Sequence, residues 1–125
     1  MRYNDLFSGS DVLELVPGGR VTATGNNTAL DLKDYEGQAL VIFDYGAGGG
    51  TTPTFDLKLQ DSPDNSTFTD ISGKAVTQIT TTASKQLLSL ELDGLNRYVR
   101  AVRTITGTSP TYDGATLLVA RKKIQ

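Results

Sequence analysis

The sequence predicts an all-β chain: a single jelly-roll-like β-sandwich or barrel of about eight to nine strands, residues 11–125, preceded by a short N-terminal arm, residues 1–10. Three observations lead there. Apolar and polar residues alternate over short stretches, the period of a strand with one buried face. Clusters of Gly, Pro, Asn and Asp recur between those stretches as turn signals. No segment reads as a helix, and a doubled or closed sheet also hides its edges.

Taken in order, residues Met1–Ser10 are mostly loop formers interrupted by Tyr3, Leu6 and Phe7. The segment is either a frayed terminus or an arm that orders on a partner with those three side chains as apolar anchors. Val12 to Val16 is a short strand ended by Pro17-Gly18-Gly19, and Arg20 to Thr24 alternates again. Gly25-Asn26-Asn27 is a turn, Ala29 to Lys33 a strand with Leu30 and Leu32 inward, and Asp34 to Gly37 a connector. Ala39 to Phe43 is apolar on both faces and predicts a central strand covered on both sides.

The glycine run Gly46 to Gly50 reads as a flexible hairpin tip. No Gly-Lys-Ser/Thr ends it and no helix follows to present amides to a phosphate. Phe55 to Ile71 is the best-marked hairpin. Phe55, Leu57 and Leu59 alternate with polar residues, Pro63 presets the turn, and Asn65 tolerates a left-handed backbone. Ser72-Gly73-Lys74 turns again, Ala75 to Thr82 reads as a half-exposed outer strand, and Lys85 to Leu92 alternates with Leu88, Leu90 and Leu92 inward. Leu95 to Thr106 predicts a long strand that separates Arg100 from Arg97 and Arg103. Ala115 to Ala120 is the last strand.

Composition bounds the chemistry. With 125 residues the chain is one domain of ordinary size. It buries roughly 65–70% of its unfolded surface without staples. It has no cysteine, which excludes disulfides and thiolate chemistry, and no histidine, the commonest general base and metal ligand. Asp61, Asp64 and Asp70 lack the spacing of a calcium loop; aspartates in turns bond their own backbone. No metal, cofactor or catalytic residue is expected, and the chain is not expected to be an enzyme.

The net charge of −2 argues against nucleic-acid binding, although the charge is unevenly spread. Residues 1–62 hold nine acids and four bases, residues 63–125 five acids and eight bases. That division fits either solvated edges or complementary patches used in assembly. No apolar run is long enough to span a membrane, and the opening MRYNDLFSGSD lacks the apolar core of a signal peptide. The expectation is a chain kept in the cytoplasm or in a particle assembled there.

TALDLKDYEGQALVIFDYGAG, LKLQDSPDNSTFTDI, TQIT and LNRYVRAVRTITGTSPTYDGATLLVARKK together resemble a family of small structural proteins of tailed phages and prophages, the capsid decoration or cement proteins. The resemblance covers roughly residues 20–123. Where the family commonly has Asp-Gly in the hairpin turn, this chain has Asp64-Asn65. The resemblance implies a jelly-roll-like domain, often a homotrimer, on the outside of an icosahedral head. There it would bind the major capsid protein and stabilise the assembled shell. Tyr3, Leu6 and Phe7, with one loop end of the barrel, are the expected capsid contacts. The alternative is a tail, baseplate or head-fibre module that binds a host surface carbohydrate. Such a site needs exposed aromatic rings, and with tryptophan absent the candidates are Tyr3, Tyr45 and Tyr112.

Overall fold

A computed structural model describes residues 10–123. Over them the chain is all-β, a jelly-roll-like sandwich with no α-helix among the described residues. Its eight strands are β1 (Ser10–Val21), β2 (Gly25–Asn26), β3 (Leu30–Asp31), β4 (Tyr35–Tyr45), β5 (Gly49–Ser62), β6 (Thr69–Ala75), β7 (Ser84–Glu91) and β8 (Tyr98–Lys122). One 3-10 turn, Leu92–Gly94, joins β7 towards β8.

Strand β8 runs through both layers. Its second half lies between β1 and β4, with β7 beyond β4, giving a front sheet in the order β1-β8-β4-β7. Its first half lies between β5 and the short strands β2 and β3, with β6 beyond β5, forming the back sheet. Every pairing is antiparallel.

Alternation decides which residues meet between the layers. From the front sheet, Leu15, Val41, Phe43, Tyr45, Leu90 and Leu118 point inward; from the back, Phe55, Leu57, Leu59, Val99 and Ala101 do. An aromatic group joins the layers. Phe55 packs on Phe43, Tyr45 and Tyr112 with ring centroids 5.4, 4.9 and 5.1 Å apart. The two tyrosine hydroxyls are satisfied inside: Tyr45 by the Thr116 hydroxyl at 3.2 Å, Tyr112 by donating to the Thr80 carbonyl at 2.8 Å.

The Phe55 to Ile71 hairpin forms as expected, with Gln60 opposite Asp70 and Asp61 opposite Thr69. Asn65 has φ 59°, and Asp64 Oδ1 accepts from the Ser66 and Thr67 amides at 3.0 Å each. These bonds hold the Asp64 carboxyl below its ordinary range, the Thr67 amide contributing most.

Several boundaries differ from the sequence expectation, and bulges account for most of them. Pro17-Gly18-Gly19 does not end a strand; β1 continues through it with register shifts at Glu14/Val16 and Val16/Gly19. Ser72-Gly73-Lys74 is likewise strand: β6 runs through it, with Gly73 at φ 75°. Gly25-Asn26 pairs with Arg103 and Val102 rather than turning freely. The glycine run turns only at its start. Gly49 onward is already β5, opposite Thr111. Residues 76–82 form no named strand; only Ile79 bridges to Phe55. Gly107 to Pro110 does not divide β8, because Gly107 at φ 121° lets the strand bend and carry on. Gly114 lies where β8 crosses β4, and a Cβ there would strike the Asp44 carbonyl and stand 2.7 Å from Tyr45 Cα.

Candidate interaction surface

Tyr3, Leu6 and Phe7 lie outside the described residues. The chain enters the described part at Ser10, opposite Arg121, at one end of the front sheet. The loops at this end form a cleft of about 430 Å³. Leu32, Tyr35, Leu92 and Leu95 give it an apolar floor; Lys33, Asn96, Arg97 and Lys123 stand at its rim. Arg97 grips Asp31 through two bonds of 2.8 and 2.7 Å, which draws the Asp31 carboxyl down to about 2 and raises the guanidinium above its ordinary value. Asp93 accepts from the Gly37 amide at 3.1 Å, and Asp61 from the Asn96 amide at 2.9 Å. Asp31, Asp61 and Asp93 are therefore occupied in holding the loops of this end together.

The second surface is the outer face of the front sheet. The strand register stacks two rows across it. One is Val12, Val119, Leu40 and Ser89; the other is Glu14, Leu117, Ile42 and Leu87. Val12 is 62% exposed, Leu87 58% and Leu40 37%; they are the exposed large hydrophobics of the described residues, and all three lie on this one face. Ile42, Leu117 and Val119 are half-buried between them. The doubly apolar stretch Ala39 to Phe43 was expected to be covered on both sides, and the structure corrects this: among the described residues no strand layer covers the Leu40 and Ile42 face. Its strand is central in the hydrogen-bonded ladder, but only the Ala39, Val41 and Phe43 face is covered.

Elsewhere the candidates separate. Tyr45 and Tyr112 are 1% and 0% exposed, so neither presents a ring to a sugar. Arg100 lies 3.8 Å over the Phe68 ring and donates to Gln60. Arg103 reaches the Ala23 carbonyl and Asn27, and Arg97 belongs to Asp31. The three make no stripe. Among the described residues no group of three or more acids, histidines or cysteines could hold a metal ion. No helix among them is long and apolar enough to cross a membrane.

No protein-family model matches the sequence, and no curated protein does. Solved structures do share the fold. The SPBc2 prophage-derived protein YomS superposes with a TM-score of 0.52 at 11% identity, over 89% of this chain and 93% of that one. A chain in the structure of the infectious bursal disease virus Gx strain gives 0.54 at 7% identity, over 90% of this chain and 32% of that one. Dimeric latent PorU from Porphyromonas gingivalis gives 0.51 at 14% identity, over 92% of this chain and 13% of that one. The chain thus spans nearly all of YomS but a third or less of the other two. At these identities the likeness is one of fold.

Proposed function

We propose that the chain is a structural protein of a phage particle, and more narrowly a decoration protein that binds the outside of the assembled head. The observation that carries this reading is the outer front-sheet face. Among the described residues Asp31, Asp61 and Asp93 are engaged in holding the domain's own loops, and the exposed large apolar side chains gather on one side. That is a surface for contact with another protein rather than for chemistry. The motif resemblance and the fold shared with a prophage-derived protein and a virus chain support the particle as the setting.

The partner in this reading is the major capsid protein. Tyr3, Leu6 and Phe7 grip it together with the loop end at which segment 1–9 joins the sandwich, where Lys33, Lys122 and Lys123 stand. Because the chain binds the assembled shell and not free subunits, mass action stabilises the shell. A homotrimer engaging several capsid subunits adds effective concentration, so no single contact need be strong.

The test is cosedimentation of the purified chain with expanded, undecorated heads, followed by heating. The expected result is binding and a higher temperature of DNA release. A chain that leaves the heads unbound and their release temperature unchanged refutes the decoration role. Light scattering after size exclusion tests the trimer separately; a trimer is expected at micromolar concentration.

A further inference from the structure

We propose that the outer edge of β7 pairs with the same edge of a second copy, antiparallel about Leu88, so that two front sheets join into one continuous sheet.

A sheet edge offers a row of amide and carbonyl groups to any strand that meets it, and folds blunt their edges with bulges, proline, kinks or very short strands. The other edges of this sandwich are treated that way. β1 carries Pro17 and two register shifts. β6 has an irregular register against β5 and Gly73 at φ 75°. β2 and β3 are two residues each. β7 has none of these devices. It is eight residues long, holds neither glycine nor proline, and pairs with β4 residue for residue from Ser84 to Glu91 without a shift. Among the described residues no strand pairs with its other side. Leu87 on its outer face is among the exposed large hydrophobics. Leu88 on its inner face packs on the core yet is only half-buried, as a core residue left open at an edge would be.

Charge selects the occupant. Alternation puts Lys85, Leu87, Ser89 and Glu91 on the outer face, all exposed. When the strand is laid antiparallel on itself with Leu88 opposite Leu88, Lys85 of each chain stands opposite Glu91 of the other, and the two Leu87 side chains become diagonal neighbours across the seam. A slip of one residue turns the faces over, and a slip of two breaks both charge pairs. Among the described residues neither Lys85 nor Glu91 makes a salt bridge within its own chain. The strand is therefore its own complement, which an unrelated strand has no reason to be.

The two-fold axis of such a pair stands perpendicular to the sheet, so both outer faces look the same way and their apolar patches abut at Leu87. This goes beyond the shell role proposed above, because the pairing belongs to the chain alone. A two-fold contact does not close a ring of three, so it is separate from the trimer contact and, combined with it, links trimers to one another. One strand pair is a small interface. The association is weak in dilute solution and grows where chains are held close together.

The absence of cysteine makes trapping clean. Lys85→Cys chains mixed with Glu91→Cys chains, one of the two tagged, are expected under mild oxidation to give a disulfide-linked heterodimer about ten-fold or more above the homodimer yield of either alone. Leu40→Cys is the control. It lies on the same outer face, but β4 is three strand spacings, about 14 Å, from its equivalent across the seam, beyond the reach of a disulfide. It is expected to stay unlinked. Charge reversal provides a second measurement. Lys85→Glu or Glu91→Lys is expected to weaken association in sedimentation equilibrium about five-fold or more, and Lys85→Glu together with Glu91→Lys to restore it.

Homodimer yields equal to the mixed yield overturn the proposal. So does a Leu40→Cys dimer, which places the contact face to face, or no association up to about 1 mM beyond the unit present at micromolar concentration. Lys85→Cys that cross-links to a shell protein but not to Glu91→Cys gives the edge to the shell and overturns it as well. A chain that fails these tests yet binds heads refutes the pairing and leaves the decoration reading standing. A chain that passes them yet ignores heads does the reverse.

Discussion

The Tyr35 hydroxyl on β4 donates to Asp11 Oδ2 on β1 at 2.6 Å, although β8 lies between their strands. Lys122 of β8 stands 3.4 Å from the other carboxylate oxygen, so three strands are clasped at the end where the chain enters the sandwich. The hydrogen bond is the main reason that Asp11 titrates below its ordinary value and that Tyr35 is pushed up to about 12. Tyr35→Phe keeps the ring and removes the clasp. It is expected to lower the melting temperature by roughly 2–5 °C. The alkaline limb reports the same bond. A tyrosine raised in the folded state stabilises fully below its unfolded value near 10 and loses that contribution between pH 10 and about 12. Thermal melts across that interval should fall more steeply for the native chain than for Tyr35→Phe.

Acid should act through the opposite sign. Asp31, drawn down to about 2 by Arg97, stabilises the fold above its ordinary value near 4. That contribution is lost as the pH falls from 4 to 2. Urea midpoints at pH 7 and pH 2.5 are expected to differ less in Asp31→Asn than in the native chain. A difference remains, because Asp11, Asp64, Asp70 and Asp113 are lowered as well. Both partners of the Arg97 pair are well exposed, so the effect of Asp31→Asn at pH 7 should be small.

The hairpin turn should discriminate by backbone alone. Asn65 occupies φ 59°, where a β-branched side chain is crowded. Asn65→Gly is expected to leave stability nearly unchanged. Asn65→Val should cost about 1–2 kcal/mol by chemical denaturation.

Phe55 is the residue on which the two layers depend most. It is fully buried and packs against three other rings. Phe55→Ala should cost about 3–5 kcal/mol, a large share of a domain's stability, and show as a sharply lowered urea midpoint. Phe43→Leu nearby, which leaves a smaller void, is expected to cost less.

Period-2 patterning was enough to find the sandwich, because a strand with one buried face writes its burial into the sequence. Phe55, Leu57, Leu59, Leu88 and Leu90 show it. What it does not encode is where a strand bends without ending. Pro17-Gly18-Gly19, Ser72-Gly73-Lys74 and Gly107 to Pro110 carry turn chemistry, yet each lies within a strand, because a bulge needs the same positive-φ or donor-free residues as a turn.

The exposed apolar face of the front sheet was half legible. Ala39 to Phe43 announced apolar residues on both faces of one strand. That the outer face is uncovered depends on which strands flank it, and on Leu117 and Leu87 contributing from distant parts of the chain. Tyr45 and Tyr112 sit beside turn residues in sequence and looked accessible for that reason. Their hydroxyls are instead satisfied by groups between the layers, which lets both rings be buried.

Strand β8 also sets the order of events when the chain folds. Five strands, β1 to β5, take it as a hydrogen-bonded neighbour, and only the β4–β7 and β5–β6 pairings form without it. During synthesis, everything up to Arg97 therefore emerges with at most two isolated strand pairs and no closed core. Such pairs are marginal in water and leave unpaired edges exposed. The sandwich closes when the segment from Tyr98 onward is released and threads its first half into one layer and its second half into the other. Folding should thus be a late, concerted event on the slow timescale of non-local β topologies, and a ribosome-tethered chain halted before Tyr98 should remain sensitive to protease.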